Sequence, residues 1–115
     1  MALLSLDAPG AANWLAALPV SALTLLYKHS PRCGISFDAV DEVHAFAATH
    51  PDLPVWQLDV VRQRSLSQDF SRVLGIPHAS PQVILLRGAQ PVWHTSHQRI
   101  TSATLAQHLA AAQRD

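Results

Sequence analysis

Residues 22–36 read ALTLLYKHSPRCGIS, an apolar run that passes into a basic turn and then a cysteine. The run Ala22–Tyr27 has the length of a strand and is almost wholly apolar, which is typical of a central strand covered on both faces. Residues 28–32 predict a polar turn, and Cys33 opens a segment whose apolar residues recur at helical spacing. The stretch therefore predicts a strand, a turn and a helix, with Cys33 at the strand-to-helix junction.

Strand and helix patterns alternate through the first two thirds of the chain. A short apolar strand at residues 3–6 precedes a first helix, and both lie upstream of the run described above. Downstream, residues 55–60 have the alternation of a strand. The helix that follows can be capped by Ser65 or Ser67 and closed by Gly75.

The last third of the chain predicts a hairpin and a final helix. The apolar segments 82–87 and 91–94 are separated by a short turn, which is typical of antiparallel neighbours. Thr101 can cap the last helix. The order β-α-β-α-β-α-β-β-α predicts an α/β fold with a mixed central sheet and helices on both faces.

Length and composition limit the classes of function. With 115 residues the chain predicts a single domain, residues 1–115, and 49% hydrophobic residues suffice for a buried core. The formal net charge of +0 gives no broad electrostatic surface for nucleic acid or an anionic membrane. No apolar stretch approaches the roughly 20 residues of a membrane span, and the amino-terminal residues lack a secretory signal, so we expect a cytoplasmic protein.

Cys33 is the single cysteine of the sequence, so an internal disulfide and a multi-cysteine zinc site are excluded. A helix amino terminus favours a thiolate, and so do the nearby basic residues Lys28, His29 and Arg32. A thiol with a lowered pKa leaves readily from a mixed disulfide, which suits the transfer of a small thiol adduct. The alternative is an inert core thiol, since free cysteines are among the most buried residues.

Ser36 stands three residues after Cys33, where a dithiol oxidoreductase has its second, resolving cysteine. A serine cannot form a disulfide. A mixed disulfide on Cys33 must therefore be resolved by a thiol from outside the chain.

Two other segments, Ser80-Pro81 and residues 94–97, contain candidate functional residues but do not by themselves indicate a function. Ser80-Pro81 comes directly before an apolar strand, where a proline is tolerated in trans or adopts a cis bond. His94 and His97 match no standard zinc spacing with Cys33, so we expect no metal site. They are expected at the end of the last strand.

Four separated blocks resemble the YtxJ-like monothiol bacilliredoxins, namely residues 27–36, 58–60, 80–82 and 92–97. The resemblance covers nearly the whole chain and implies a thioredoxin-like fold, with Cys33 as the redox-active cysteine and Ser80-Pro81 as a cis-proline loop facing it. It places three further residues on the substrate side, in the hallmark segment of the family: Trp93, His94 and His97. Family members often have Thr before the Arg and Pro after the Cys, where this chain has Pro31 and Gly34.

The resemblance also implies a reaction. Members of the family remove bacillithiol from S-bacillithiolated proteins, so Cys33 is expected to carry bacillithiol as a mixed disulfide. The implied partners are client proteins and bacillithiol as cosubstrate, with a bacillithiol disulfide reductase acting indirectly, and no bound cofactor. Bacillithiol bears carboxylates, for which Lys28, Arg32 or His97 would be suitable partners.

Two alternatives stay open from the sequence. Cys33 could be modified by bacillithiol and alter a partner interaction without turnover, as a non-catalytic redox sensor or adaptor. The chain could instead resemble a glutaredoxin that shares an iron-sulfur cluster between two copies, each giving one cysteine.

Overall fold

The computed structural model describes residues 3–31 and 34–114, with the side chains of residues 34–36 excepted. The first half of the chain contains β1 (Leu4–Ser5), α1 (Ala11–Ala16), β2 (Leu23–His29), α2 (Gly34–Thr49) and β3 (Val55–Asp59). The second half contains α3 (Arg64–Leu74), β4 (Gln82–Arg87), β5 (Gln90–Ser96), a 3-10 turn (His97–Arg99) and α4 (Ser102–Gln113). This order confirms the predicted succession of elements. Of the helices within these ranges, none is long and apolar enough to cross a membrane.

The five strands form one mixed sheet in the order β1-β3-β2-β4-β5. Strands β1, β3 and β2 run parallel, while β4 is antiparallel to β2 and β5 is antiparallel to β4. The apolar run of β2 thus lies at the centre, with Leu26 paired to Trp56 on one side and to Ile84 on the other. The predicted central strand is confirmed.

The sheet separates two hydrophobic clusters, because successive side chains of a strand point to opposite faces. Leu25 and Tyr27 of β2 belong to the cluster that contains residues of α2 and α4. Leu26, between them in sequence, belongs to the cluster with α1 and α3. Burying a large apolar side chain contributes about 1.5–3 kcal/mol to the free energy of folding. Apolar side chains on both faces of β2 therefore stabilise the packing of a helical layer on each face. The predicted helices on both faces are confirmed.

Strand β2 extends further than the sequence predicts. The predicted turn at residues 28–32 is wrong at its start, because Lys28 and His29 belong to the strand. Lys28 pairs with Leu58 of β3 and with Gln82 of β4, so both neighbouring strands hold it in the sheet. A lysine is therefore fully buried at the carboxyl end of the central strand.

The predicted helix ends are confirmed in part. Gly75 closes α3 in the left-handed conformation with φ 70°, and the Thr101 side chain accepts a hydrogen bond at the start of α4. The predicted cap of α3 is wrong, since Gln63 is the N-cap and the helix already begins before Ser65 and Ser67. Ser67 consequently lies within the helix and is buried, where its backbone carbonyl is available to another group.

Candidate active site

Lys28, His29 and the Ser80-Pro81 segment lie at one edge of the sheet. Strands β2 and β3 are parallel, so their carboxyl ends share this edge, and antiparallel β4 begins at the same place. Lys28 is paired with Gln82, the residue that follows Ser80-Pro81. The carboxyl end of β2 and the proline loop are therefore neighbours, although about fifty residues separate them in sequence.

The cysteine itself is not covered by the described ranges. Arg32 and Cys33 lie outside the described residues, and so does the Ser36 side chain. Helix α2 begins at Gly34, the next residue in the sequence, and continues for 16 residues. The amide groups of its first turn provide the positive end of a helix dipole directly after Cys33 in the chain. The roles of Arg32, Cys33 and Ser36 stay predictions.

The peptide bond between Ser80 and Pro81 is cis, as the resemblance implies. Pro81 is buried, and its backbone carbonyl accepts a hydrogen bond from the His97 amide at 3.0 Å. His97 has a φ of 58°, in the left-handed region, and its Nδ1 lies 3.0 Å from the Ser96 hydroxyl. The end of β5 is thus attached to the proline loop through the backbone of His97, while the imidazole is exposed.

The other two hallmark residues lie elsewhere on β5. Trp93 packs beside the α2 and α4 cluster and stacks on His108 of α4, with ring centroids 4.1 Å apart and planes 10° from parallel. His94 is exposed and pairs with Ile84. The structure therefore brings His97 to Pro81 and places Trp93 against α4. The predicted substrate contacts of Ser80, Pro81, Trp93, His94 and His97 stay predictions.

Lys28 directs its ammonium group toward α3. The Nζ atom donates to the Ser67 carbonyl at 2.9 Å and to the Ser71 hydroxyl at 2.8 Å, and it lies 3.5 Å from His78 Nδ1. Burial lowers the pKa of Lys28 to about 8, so the ammonium form still predominates at neutral pH. A buried positive charge is thereby fixed on the α3 face, and its predicted effect on the Cys33 thiolate stays a prediction.

The His29 side chain lies on the opposite face of the sheet, the face covered by α2 and α4, and it is hydrogen-bonded to Tyr27 there. The Tyr27 hydroxyl and His29 Nδ1 are 3.1 Å apart. Burial lowers the pKa of His29, the Asp59 charge opposes that shift, and His44 adds to it. Burial also raises the pKa of Tyr27, so the phenol keeps its proton and can donate it to Nδ1. At neutral pH His29 would favour a thiolate by hydrogen bonding more than by charge, and that role stays a prediction.

Sequence reasoning missed the polar residues around Lys28. Gln82 is buried, its Nε2 donates to the Pro77 carbonyl at 3.1 Å, and its Oε1 has no hydrogen-bond partner among the described residues. His78 lies between α3 and the proline loop, with Nδ1 3.4 Å from the Ser67 hydroxyl. A glutamine opening a buried apolar strand was the signal in the sequence that could have indicated a polar cluster here.

The match to a family model decides the relationship. The model for the monothiol bacilliredoxin BrxC matches residues 10–105. This chain belongs to the monothiol bacilliredoxin family. The identification by resemblance is confirmed, and the bacilliredoxin is accordingly a thiol oxidoreductase of the thioredoxin fold.

Solved structures agree with the fold of this bacilliredoxin. A thioredoxin-fold protein assigned as an oxidoreductase is similar with a TM-score of 0.79 and 25% identity, over 92% of each chain. Thioredoxin from Trypanosoma brucei brucei gives a TM-score of 0.77 at 15% identity, over 98% of this chain and 92% of that one. Thioredoxin NaTrxh from Nicotiana alata gives a TM-score of 0.75 at 16% identity, over 96% of this chain and 91% of that one. The two thioredoxins bear on the fold alone.

Proposed function

We propose that this bacilliredoxin removes bacillithiol from S-bacillithiolated client proteins through a mixed disulfide on Cys33. The observation that carries the proposal is the family match over residues 10–105, which includes the single cysteine of the chain. The position of Ser80-Pro81 also supports it, because the strand that begins directly after this segment pairs with Lys28 at the carboxyl end of β2.

The first step transfers bacillithiol to the enzyme. The Cys33 thiolate attacks the bacillithiol sulfur of the client's mixed disulfide, the client S–S bond breaks, and a Cys33–bacillithiol disulfide forms. The client cysteine leaves as a thiolate and takes a proton from solvent or a nearby acid. The two electrons that reduce the client cysteine come from Cys33, so the enzyme ends this step oxidised.

The second step restores the enzyme. A bacillithiol thiolate attacks the bacillithiol sulfur bound to Cys33, which releases the Cys33 thiolate and bacillithiol disulfide. A NADPH-dependent disulfide reductase then returns the two electrons by reducing that disulfide to two thiols. Bacillithiol is the cosubstrate in this scheme, and the reductase is an indirect partner.

Local electrostatics support a thiolate at Cys33. The first-turn amides of α2 follow Cys33 directly in sequence, and Arg32 precedes it. A helix amino terminus and a neighbouring cation both favour the ionised thiol. A cysteine with a lowered pKa is also the better leaving group in the second step.

The identity of residue 36 supports resolution by an external thiol. Ser36 occupies the position of a resolving cysteine, and Cys33 is the only cysteine in the 115 residues. The variant Ser36→Cys is therefore expected to form an internal disulfide after one transfer and to release bacillithiol without a second bacillithiol molecule. Persistence of the Cys33 adduct in that variant would contradict the assignment of residue 36 to the resolving position.

The direct test is transfer to the cysteine. Reduced protein is incubated with a bacillithiolated client, and intact masses of both proteins are followed. We expect the client to lose the adduct while the enzyme gains it, and Cys33→Ser to do neither. Ser21→Ala is the control, since Ser21 is exposed at the opposite end of β2. Undiminished release by Cys33→Ser would refute the proposal.

A further inference from the structure

A cavity of about 310 Å³ opens beside the amino-terminal half of α3. Its walls come from the loop after β3, from α3 and from the segment that leads to the proline loop: Val60, Val61, Arg64, Ser67, Gln68 and His78. The size is at the lower end for a site that holds a small molecule. The lining combines two apolar residues with four polar or basic ones.

The cavity adjoins the edge of the sheet that carries the candidate active site. The Val60 amide donates to the His29 carbonyl at 2.9 Å, which ties one wall to the last residue of β2. His78 on the other wall precedes Ser80-Pro81 by two residues. A molecule in the cavity would therefore extend between the carboxyl end of β2 and the cis-proline loop.

The charges around the cavity are positive. The Lys28 ammonium lies behind the wall, 2.9 Å from the Ser67 carbonyl and 3.5 Å from His78 Nδ1. Burial lowers the pKa of His78, and the positive charges of Lys28 and Arg64 lower it further. One cation, Arg64, and the His78 imidazole thus line the cavity, and a second cation, Lys28, lies behind its wall.

Within the described ranges, no carboxylate lines this cavity, and neither Lys28 nor Arg64 forms an ion pair. Asp59, which ends β3, accepts hydrogen bonds from the amides of Val61 and Arg62 at 2.9 and 3.0 Å. A buried cation without an anion is costly, and a negatively charged ligand would offset that cost.

We propose that this cavity binds the malate carboxylates of bacillithiol, with Arg64 as the principal contact and with Gln68 and His78 as hydrogen-bonding partners. The assignment rests on the proposed function, since it names the group that the cavity would recognise in that cosubstrate. A guanidinium pairs with a carboxylate in a bidentate manner, and the amide and imidazole supply further donors. Lys28 acts from behind as a fixed charge. Bacillithiol would then present its sulfur toward the proline loop.

The kinetic test compares two adducts on one client protein, complete bacillithiol and a truncated form that lacks malate. Arg64→Ala is expected to lower kcat/KM on the complete adduct about tenfold, which corresponds to one charge-assisted hydrogen bond. The same variant is expected to leave kcat/KM on the truncated adduct close to the wild-type value. An equal loss on both adducts would overturn the proposal.

Arg62→Ala is the matched control. Arg62 is exposed and positively charged, as Arg64 is, and lies two residues before it, but Arg62 does not line the cavity. We expect it to change neither rate appreciably, and Arg64→Lys to recover part of the lost rate because it keeps the charge. Equal effects of the Arg62 and Arg64 substitutions on the complete adduct would indicate general electrostatics and would contradict a built site.

Direct binding separates this proposal from the proposed function. L-malate is titrated into the wild-type protein while the ring resonances of His78 are followed by NMR, with chloride at matched ionic strength as the control. A saturable shift that Arg64→Ala abolishes supports the cavity, even if no bacillithiolated client is processed. A shift of equal size with chloride overturns it, even if the client is processed.

Discussion

Lys28 and His29 are adjacent at the carboxyl end of β2, and their side chains lie on opposite faces of the sheet. The two side chains differ in burial and in hydrogen-bond partners. On the α3 face, Lys28 is fully buried, and its ammonium is held by Ser67 and Ser71. On the α2 face, His29 is half-buried and bonded to the Tyr27 hydroxyl. Burial lowers the pKa of both groups. Lys28 nevertheless remains mainly charged at neutral pH, whereas His29 favours its neutral form.

The difference indicates that the two faces are suited to different roles at this edge of the sheet. A fixed positive charge is suited to holding an anionic group of a substrate, and the α3 face also contains the cavity beside Arg64. A neutral imidazole with an oriented ring is suited to donating or accepting a single proton.

Removing the Lys28 side chain should have the largest effect. Lys28→Ala leaves a cavity in the α1 and α3 layer and frees the Ser67 carbonyl and Ser71 hydroxyl, so we expect a loss of about 2–4 kcal/mol in the free energy of unfolding. Urea denaturation at pH 7 measures it. Lys28→Met keeps most of the volume and should be far less destabilising, because a buried charge is costly. A methionine variant as unstable as the alanine variant would show that the ammonium hydrogen bonds dominate.

The second largest effect should be a change in the free energy of unfolding with pH, caused by the lowered pKa of Lys28. Its folded pKa of about 8 is below the unfolded value of 10.5, so between these values the unfolded state binds more protons than the folded state. Stability contributed by this group should therefore rise with pH above about 8, by on the order of 1–2 kcal/mol up to pH 9.5. The measurement is the difference in urea midpoints between the wild type and Lys28→Met from pH 7.5 to 9.5. A difference that does not vary with pH would contradict the lowered pKa.

Removing the Tyr27 hydroxyl should have the smallest effect on stability. We expect the change to be confined to the α2 face of the sheet. Tyr27→Phe removes one hydrogen bond to His29, with an expected loss of about 1 kcal/mol. Without that donor the neutral imidazole is less favoured, so the pKa of His29 should rise, as NMR titration of the ring would show. His78, on the opposite face, is the internal control. An equal change in the His78 titration would show that the two faces are coupled.

Much of the fold followed from short-range patterns in the sequence. The run Ala22–Tyr27 predicts a buried central strand because it lacks alternation, and the structure confirms it. Gly75 and Thr101 mark helix ends through local backbone geometry and capping, and both are confirmed. The topology itself came from resemblance to a family, since periodicity alone supports several mixed sheets.

The surroundings of Lys28 could not be predicted in the same way. A lysine after an apolar run reads as the start of a turn, because lysine is rarely buried. Its strand pairing depends on Gln82, and its hydrogen bonds depend on Ser67 and Ser71, 39 and 43 residues away. Such contacts arise only when the sheet and α3 come together.

The sequence by itself determined the order of elements, the single thiol and the absence of a resolving cysteine, because these depend on local patterns and on residue identity. The tertiary structure decided which side chains share the edge around β2: it turned Lys28 toward α3 and His29 toward Tyr27, and it brought His97 to Pro81. The physical reason is that strand pairing and alternation assign each side chain to a face, and the partners on that face come from distant parts of the chain.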